Sequence, residues 1–379
     1  MKKKKSALFV LTYYRPHWTG LTKYAARLAE ALAERDWKVG VVCVRHDRSA
    51  KREEILEGVA VKRVPYVCRV SRTFFTPSFI FKVWQEMKNY RTVVAYLPLQ
   101  QVWPVALMAK LRGKKMVLAH NGDLKLPDKA GLISRFLEKI YYWSTLAAGA
   151  TSEAVIIQTT DYANSSKLLK KLKSKWRVIM PLFKIPEIEK EEVTNFKKKH
   201  KLVGKKLIGF SGRFVEEKGV DRLLRAMPYL AKKMPDLCLV MAGDYKIKYE
   251  NYWQRLEPLI RKNKKHIRLL GLLEEKEVYV FYRCLEALIQ PSRSDCFPSS
   301  QNEALLSGIP SVCSNIPGAR WPVRISGMGK IVNANKAADL ADSIVEVIKN
   351  RENYIKNQFK VKKMFDREKT IKKYEKILE

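Results

Sequence analysis

The sequence lacks the features that mark several large classes of protein. It contains no run of about 18 apolar residues, so a membrane-spanning helix is not predicted. Its six cysteines are scattered without a Cys-x-x-Cys pair, which argues against a disulfide framework or a zinc site and fits a reducing compartment. Its five histidines form no His-Glu-x-x-His pattern.

Three motifs that bind phosphorylated ligands are also missing. Neither Gly-x-Gly-x-x-Gly nor Gly-x-x-x-x-Gly-Lys-Ser/Thr occurs, which disfavours a dinucleotide oxidoreductase or an ATPase. No Asp-x-Asp occurs, so a divalent cation held by two nearby acids is not suggested. A diphosphate would have to be bound by basic side chains and backbone N–H groups, and we expect no metal and no other cofactor.

The first eleven residues resemble a signal peptide in their basic start and short apolar run. However, Tyr13, Tyr14 and Arg15 follow where a small-residue cleavage site would stand. We therefore interpret residues 7–13 as a first β-strand and expect a cytoplasmic protein.

The chain has 379 residues, of which 46% are hydrophobic and 30% charged, enough apolar material for two domains. Its 74 Lys and Arg against 38 Asp and Glu give a net charge of +36. This excess indicates either an anionic partner, such as a membrane surface, nucleic acid or phosphorylated substrate, or simply a solvated lysine-rich surface.

Strand-like and helix-like segments alternate along the chain, which predicts an α/β fold with parallel sheets. We predict an N-terminal domain over 1–182, a second domain over 183–355, and a basic, helical tail over 356–379. Two Rossmann-like doubly wound units in series suggest a cleft between them, with ligands at the carboxyl ends of the strands. The predicted strands are 7–13, 39–44, 92–97, 115–119, 155–159, 176–180, 207–211, 237–242, 267–270, 287–289 and 311–313.

Two segments have the residue types that diphosphate-sugar chemistry needs. In the first, Arg213 and Lys218 lie on a small-residue loop between a strand and a helix. Arginine offers a planar fork for phosphate oxygens and lysine a compact charge, although two surface bases on a loop are the simpler reading. In the second, Asp295 follows a buried strand and Glu303 lies in the next helix. Both carboxylates could accept hydrogen bonds from sugar or ribose hydroxyls near the N-terminus of the helix. The simpler alternative is that Asp295 caps the helix and Glu303 is an acid on its surface.

These two segments resemble the retaining glycosyltransferases of family 4, the group 1 glycosyl transferases, which have the GT-B fold. The family carries Gly-Arg-(…)-Lys-Gly at the first site, as around Arg213 and Lys218. It carries Glu-x7-Glu at the second, where this chain has Asp295 and Glu303.

This chain departs from the family pattern within the second segment. Cys296 and Pro298 replace the family's glycines, and Pro298 has no N–H to donate to a sugar. In the N-terminal half, Thr19 and Gly20 stand where the family has two glycines. Residues 118–123 resemble the segment whose histidine, here His120, faces the sugar. The helical tail over 356–379 resembles the family's terminal helix, which implies that it crosses back to the N-terminal domain.

The resemblance implies a sugar transfer with retention from a nucleotide-diphosphate sugar to a glycan or lipid-linked acceptor, without a metal, in polysaccharide or glycolipid synthesis. It assigns the diphosphate to Arg213 and Lys218, the ribose to Glu303, and the transferred sugar to Asp295, His120 and the N–H of Phe297. The candidates for catalysis are Asp295, His120, Arg213 and Lys218, and those for donor binding are Gly20, Arg213, Lys218, Asp295, Phe297 and Glu303.

Other readings stay open at this point. An inactive GT-B partner subunit is compatible with the changes at 295–298, and a GT-B epimerase or a basic nucleic-acid-binding protein is less favoured because the matching motifs are absent. The basic, aromatic stretch 69–88 either lies peripherally on the anionic inner face of a membrane or faces the core as a helix.

Overall fold

A computed structural model of the chain describes residues 5–17, 19–70, 73–124, 131–245, 247 and 250–379. The chain forms two compact units. Unit 1 is Met1–Phe183 with Phe365–Glu379, and unit 2 is Lys184–Met364. The sequence analysis places its boundaries at 182 and 355, whereas the units divide after 183 and after 364.

Unit 1 is built on a sheet with the strand order β10-β9-β8-β7-β1-β2-β4-β3. All pairings are parallel except that of β3 with β4. In chain order its elements are β1 (Ser6–Val10), α1 (Gly20–Ala33), β2 (Lys38–Val44), β3 (Glu53–Leu56), β4 (Val59–Val64), β5 (Cys68–Val70), β6 (Thr73–Phe75), α2 (Ser78–Met87), β7 (Thr92–Leu97), α3 (Val102–Leu111), β8 (Lys115–His120), α4 (Leu132–Thr151), β9 (Ala154–Ile157), α5 (Thr160–Ala163), α6 (Lys167–Lys171) and β10 (Trp176–Val178).

Unit 2 is built on a parallel sheet with the strand order β13-β12-β11-β14-β15-β16. Parallel strands with helices on both faces are buried on both sides, which explains apolar runs such as that of β12. In chain order its elements are α7 (Lys190–Lys199), β11 (Lys206–Ser211), α8 (Val220–Lys233), β12 (Leu237–Ala242), α9 (Tyr252–Lys262), β13 (Ile267–Gly271), α10 (Glu275–Arg283), β14 (Ala287–Gln290), α11 (Ser299–Leu306), β15 (Ser311–Ser314), α12 (Arg320–Ser326), β16 (Gly329–Val332), α13 (Ala337–Lys349), α14 (Arg351–Ile355) and α15 (Gln358–Met364).

Both sheets reverse their strand order beside their first strand. In unit 2, β11 pairs with β12 on one side and with β14 on the other. In unit 1, β1 lies between β2 and β7 in the same way. In such doubly wound sheets a crevice opens at this reversal, at the carboxyl ends of the strands, because the two connections run to opposite faces.

The last helix, α16 (Arg367–Leu378), belongs to unit 1. Its Ile371, Tyr374 and Leu378 are buried in the same apolar core as α1 and β1. The Arg35 Nη1 donates to Glu375 Oε2 at 3.1 Å, and the Thr92 hydroxyl donates to the Leu378 carbonyl at 2.7 Å. The chain therefore returns to unit 1 after completing unit 2.

The aromatic stretch 69–88 divides between core and surface. Phe74 and Phe79 are buried, whereas Phe75 and Phe81 are exposed. Ser71 and Arg72 of this stretch lie outside the described residues. Across the described part of the chain, every helix is too short or too polar to span a membrane.

The docking of α16 predicts a stability effect. Replacing Ile371 by Ala removes a fully buried side chain, so we expect unit 1 to lose about 2–5 kcal/mol of unfolding free energy. Lys372→Ala, on the exposed face of the same helix, is the matched control and should shift the urea midpoint little. Equal midpoints for the two variants would contradict the packing of α16 in this core.

Candidate functional site

The strand reversal in unit 2 brings two loops together. The loop after β11 holds residues 212–215 and a 3-10 turn, Glu216–Lys218, and the loop after β14 holds residues 291–298. Ile208 and Gly209 pair with Ala287 and Leu288, so these strands are neighbours and their loops leave the same edge of the sheet. Arg213, Lys218 and Asp295 all lie on these two loops.

Gly219 allows the two loops to touch. It adopts φ 66° and ψ 28°, a left-handed conformation that side chains disfavour. A Cβ at this position would stand 2.2 Å from the carbonyl oxygen of Pro291, which no real contact permits. The Lys218-Gly219 pair of the motif is thus explained by packing as well as by charge.

An ion pair fixes the same junction. Arg293 donates from Nη1 to Asp221 Oδ1 at 2.7 Å and from Nη2 to Oδ2 at 2.8 Å. The backbone N–H of Arg293 also donates to the Glu217 carbonyl at 2.7 Å, and the Tyr252 hydroxyl donates to Asp221. Bidentate arginine–carboxylate pairs combine strength with a fixed geometry, so the two loops are held in register.

The charge state of Asp221 follows from these contacts. Burial alone would raise the pKa of this carboxyl group, but the hydrogen bonds from Arg293 and Tyr252 outweigh burial and lower the pKa to about 2. The same pair raises the pKa of Arg293. This pair was not predicted from the sequence, since nothing in the spacing of positions 221 and 293 links them.

Lys218 and Asp295 are in direct contact. The lysine Nζ lies 2.5 Å from Asp295 Oδ2, and both side chains are largely buried. Gln290 Nε2 is 3.4 Å from the same oxygen. The family resemblance implies that these residues contact different parts of a donor, and the two side chains lie next to each other at the strand reversal.

Arg213 differs from Lys218 in its surroundings. Its side chain is exposed, with Nη2 3.5 Å from Glu217 Oε1 on the same loop. A solvent-exposed pair at this distance contributes little to stability. The loop therefore presents one largely buried cation, Lys218, and one exposed cation, Arg213.

Glu303 is buried inside unit 2. It lies on α11, and its side chain receives a hydrogen bond from the Tyr282 hydroxyl at 3.4 Å. Tyr282 also contacts the Ser211 hydroxyl at the end of β11, and its pKa is raised by burial and by the negative charge of Glu303. The alternative that Glu303 is a surface acid is wrong, because this helix face is turned into the unit.

Phe297 and its neighbours form the end of the loop after β14. Phe297 is buried, with its ring centroid 6.3 Å from that of Trp321. Gly318, at φ 86°, lets the following segment approach so closely that a Cβ there would stand 2.0 Å from the Cys296 carbonyl oxygen. Pro298 directly precedes α11 in an extended conformation.

Two candidates lie in unit 1. Gly20 is the first residue of α1, and Thr19 caps this helix by accepting the Thr22 backbone N–H. At the position where the family has its other glycine, this chain therefore has Thr19, which caps the helix. Gly20 itself has a helical backbone.

His120 ends β8 and is buried. Its Nε2 lies 3.1 Å from Asp123 Oδ1, which also accepts from Ser166 at 2.9 Å. Burial, the largest single influence, acts to raise the pKa of Asp123, but the hydrogen bonds that its carboxylate accepts from His120 and Ser166 contribute to a net lowering of the pKa. The Nδ1 of His120 is buried without a hydrogen-bond partner in the described part of the chain.

The described residues contain no cluster of three or more His, Cys, Asp or Glu side chains arranged to hold a metal ion. The acids of the site are each engaged with protein groups. Asp295 contacts Lys218, and Glu303 contacts Tyr282.

The fold and the site define a GT-B protein, with two doubly wound α/β units. HepE from Anabaena, in complex with UDP-glucose, superposes with a TM-score of 0.77 at 15% identity over 98% of both chains. Residues 192–361 match the family described as glycosyl transferases group 1, and residues 19–166 match the glycosyl transferase 4-like domain. The chain belongs to this family, the family 4 glycosyltransferases.

Two curated relatives show the range of the family. An uncharacterised glycosyltransferase from Methanocaldococcus jannaschii is 32% identical over 145 residues, 38% of each chain. A phosphatidyl-myo-inositol mannosyltransferase from Mycobacterium leprae is 28% identical over 155 residues, 40% of each chain. The matched stretch thus spans well under two thirds of each relative's length.

The Asp221–Arg293 pair predicts a pH dependence of stability. Because the pKa of Asp221 is lowered on folding, its contribution is complete above the unfolded value near 3.9 and is lost as pH falls towards 2. We expect the wild type to lose about 2 kcal/mol more than Asp221→Asn between pH 4 and pH 2.

Urea unfolding at a series of pH values measures this difference. Asp236→Asn, which changes an exposed aspartate of the same unit, should follow the wild-type profile. Parallel profiles for the wild type and Asp221→Asn would show that the pair does not stabilise unit 2.

Proposed function

We propose that this chain is a retaining glycosyltransferase that moves a sugar from a nucleotide-diphosphate sugar to a glycan or lipid-linked acceptor without a metal ion. The observation that carries the proposal is the contact between Lys218 and Asp295 at the strand reversal of unit 2, with Arg213 on the same loop. This is where doubly wound sheets bind ligands.

Lys218 suits the departure of a diphosphate. An ammonium group has three N–H donors, so Lys218 holds Asp295 and still has donors for phosphate oxygens. Arg213, which is exposed on the same loop, adds a second cation for the phosphates. Fixed donors aimed at the charge that develops on a leaving group are a large source of catalysis.

The proposed transfer breaks one bond and forms another. The bond between the sugar's anomeric carbon and the phosphate oxygen breaks, and a bond from that carbon to the acceptor oxygen forms on the same face. The acceptor's proton passes to the leaving phosphate oxygen. Asp295, held by Lys218, accepts hydrogen bonds from sugar hydroxyls, and Glu303 accepts them from the ribose.

His120 has a binding role in this proposal. We assign to His120 the tautomer in which Nε2–H donates to Asp123 and the buried Nδ1 keeps a lone pair. That atom accepts a hydrogen bond from a sugar hydroxyl. Asp123 is a positioning residue, since it fixes the tautomer of the ring.

The donor and acceptor classes rest on likeness. HepE from Anabaena was solved with UDP-glucose, which makes uridine diphosphate sugars the first donors to try. The mannosyltransferase from Mycobacterium leprae is named for a lipid acceptor, phosphatidyl-myo-inositol, which favours a lipid-linked acceptor here. A cytoplasmic enzyme working at the inner face of the membrane would meet both substrates.

An inactive partner subunit is the second candidate. The observation behind it is the loop from Asp295 to Pro298, where aspartate replaces the family's glutamate and Pro298 has no N–H. A chain of this kind would bind a nucleotide without turning the donor over.

Lys218→Ala tests the proposed chemistry. It removes a donor to the leaving group, so we expect kcat for nucleoside diphosphate release from the preferred donor to fall by about 10²–10³. Lys232→Ala, at an exposed position on α8, is the matched control and should keep wild-type turnover. Wild-type turnover should also survive EDTA. Near-normal turnover of Lys218→Ala, or strict dependence on added metal, would contradict the proposal.

A further inference from the structure

Helix α4 presents a contiguous set of apolar side chains to solvent. Phe136, Leu137, Ile140 and Trp143, here called the α4 stripe, are each between 49% and 64% exposed. Positions 136, 140 and 143 follow one another at helical spacing, so they form one surface with Leu137 beside it. Single exposed apolar residues are normal on a protein, but a contiguous set marks an interaction site.

The opposite face of α4 is fixed within unit 1. Thr145 and Ala148 are fully buried. Gly149 leaves room for the side chain of Leu172, because a Cβ at position 149 would lie 2.4 Å from Leu172 Cδ1. This close approach holds α6 and the residues after it against α4, so the stripe is a defined surface with a fixed neighbour.

That neighbour is basic. The Nζ of Lys171 lies 5.3 Å from the ring centroid of Trp143 and 5.9 Å from that of Tyr142. Helices α4 and α6 contain a single acidic residue, Glu138. Their exposed basic residues are Arg135, Lys139, Lys167, Lys170 and Lys171.

We propose that the α4 stripe docks peripherally on an anionic lipid bilayer. Tryptophan, phenylalanine and aliphatic side chains enter the boundary between headgroups and acyl chains, while the lysines beside them contact lipid phosphates. Each such lysine adds roughly 1 kcal/mol near an anionic surface, which is equivalent to about fivefold in affinity. This inference rests on the proposed function in one respect, namely that a lipid-linked acceptor gives the enzyme a reason to sit on a membrane.

Charge argues against a second copy of the chain as the occupant. A two-fold dimer would bring the same patch of each chain together, with its lysines against the partner's lysines. The net charge of +36 adds to this repulsion. An anionic surface, in contrast, complements both the stripe and its basic border.

Co-sedimentation with vesicles tests the proposal. The probes are vesicles of phosphatidylcholine alone and vesicles with about 30 mol% phosphatidylglycerol, an anionic fraction that gives a negative surface potential. We expect the protein to bind the anionic vesicles at least about tenfold more tightly, and added salt to weaken this binding.

Two pairs of variants separate the α4 stripe from general surface effects. Phe136→Ser with Trp143→Ser should weaken vesicle binding at least about tenfold, whereas Ile55→Ser with Leu272→Ser, at apolar positions that are even more exposed, should not. Lys170→Glu with Lys171→Glu should weaken it similarly. Lys264→Glu with Lys265→Glu changes the net charge by the same four units at an exposed site in unit 2 and should have little effect.

Three results with vesicles would contradict the proposal that the α4 stripe docks on lipid. They are no vesicle binding, equal binding to neutral and anionic vesicles, and vesicle binding that the stripe variants leave unchanged. The proposal would also be contradicted if the α4 stripe mediated dimerisation, or bound an acidic protein, and did not bind lipid. Because vesicle binding is measured without a donor, its failure is distinguishable from a failure of nucleotide binding, which thermal shift reports separately.

Discussion

The close contact between the loops after β11 and β14 is the constraint on which the site depends. Gly219 permits the contact because a side chain there would overlap Pro291, and the Arg293–Asp221 pair holds it. With the loops in register, Lys218 reaches Asp295. In the proposed function, the cation that would bind the diphosphate therefore lies beside the carboxylate that would bind its sugar. If these are their roles, a small error in this register would separate the two groups and cost catalysis far more than stability.

Much of the fold was predictable from the sequence because apolar strands in parallel sheets are continuous and short. The strands at 92–97 and 237–242 were predicted with their observed bounds. Strand β4 was missed, since it carries Lys62 and Arg63. Arg63 is buried and stabilised by Glu54 and by backbone carbonyls, and only tertiary structure supplies these partners. The helical tail was anticipated, but its division into α14, α15 and α16 depends on which unit each piece packs against.

The site was accessible to sequence reasoning only where residues lie close together in the chain. Arg213 and Lys218, or Asp295 and Glu303, form local patterns with a chemical meaning. The contacts between loops were not accessible, because Asp221 with Arg293 and Lys218 with Asp295 join positions more than seventy residues apart. The burial of Glu303 against Tyr282 was hidden for the same reason. The local motifs identified candidate residues, and the strand order determines which of these residues come into contact.

The most direct test of the proposed diphosphate site is a thermal-shift panel with UDP, GDP and ADP and their sugars, with and without EDTA. Ligands that bind the folded state raise its melting temperature according to the ratio of concentration to Kd. We expect a shift with one nucleoside diphosphate that EDTA leaves unchanged and that Lys218→Ala strongly reduces. A metal-dependent shift, or no shift with any of these ligands, would contradict a site in which Arg213 and Lys218 bind the diphosphate.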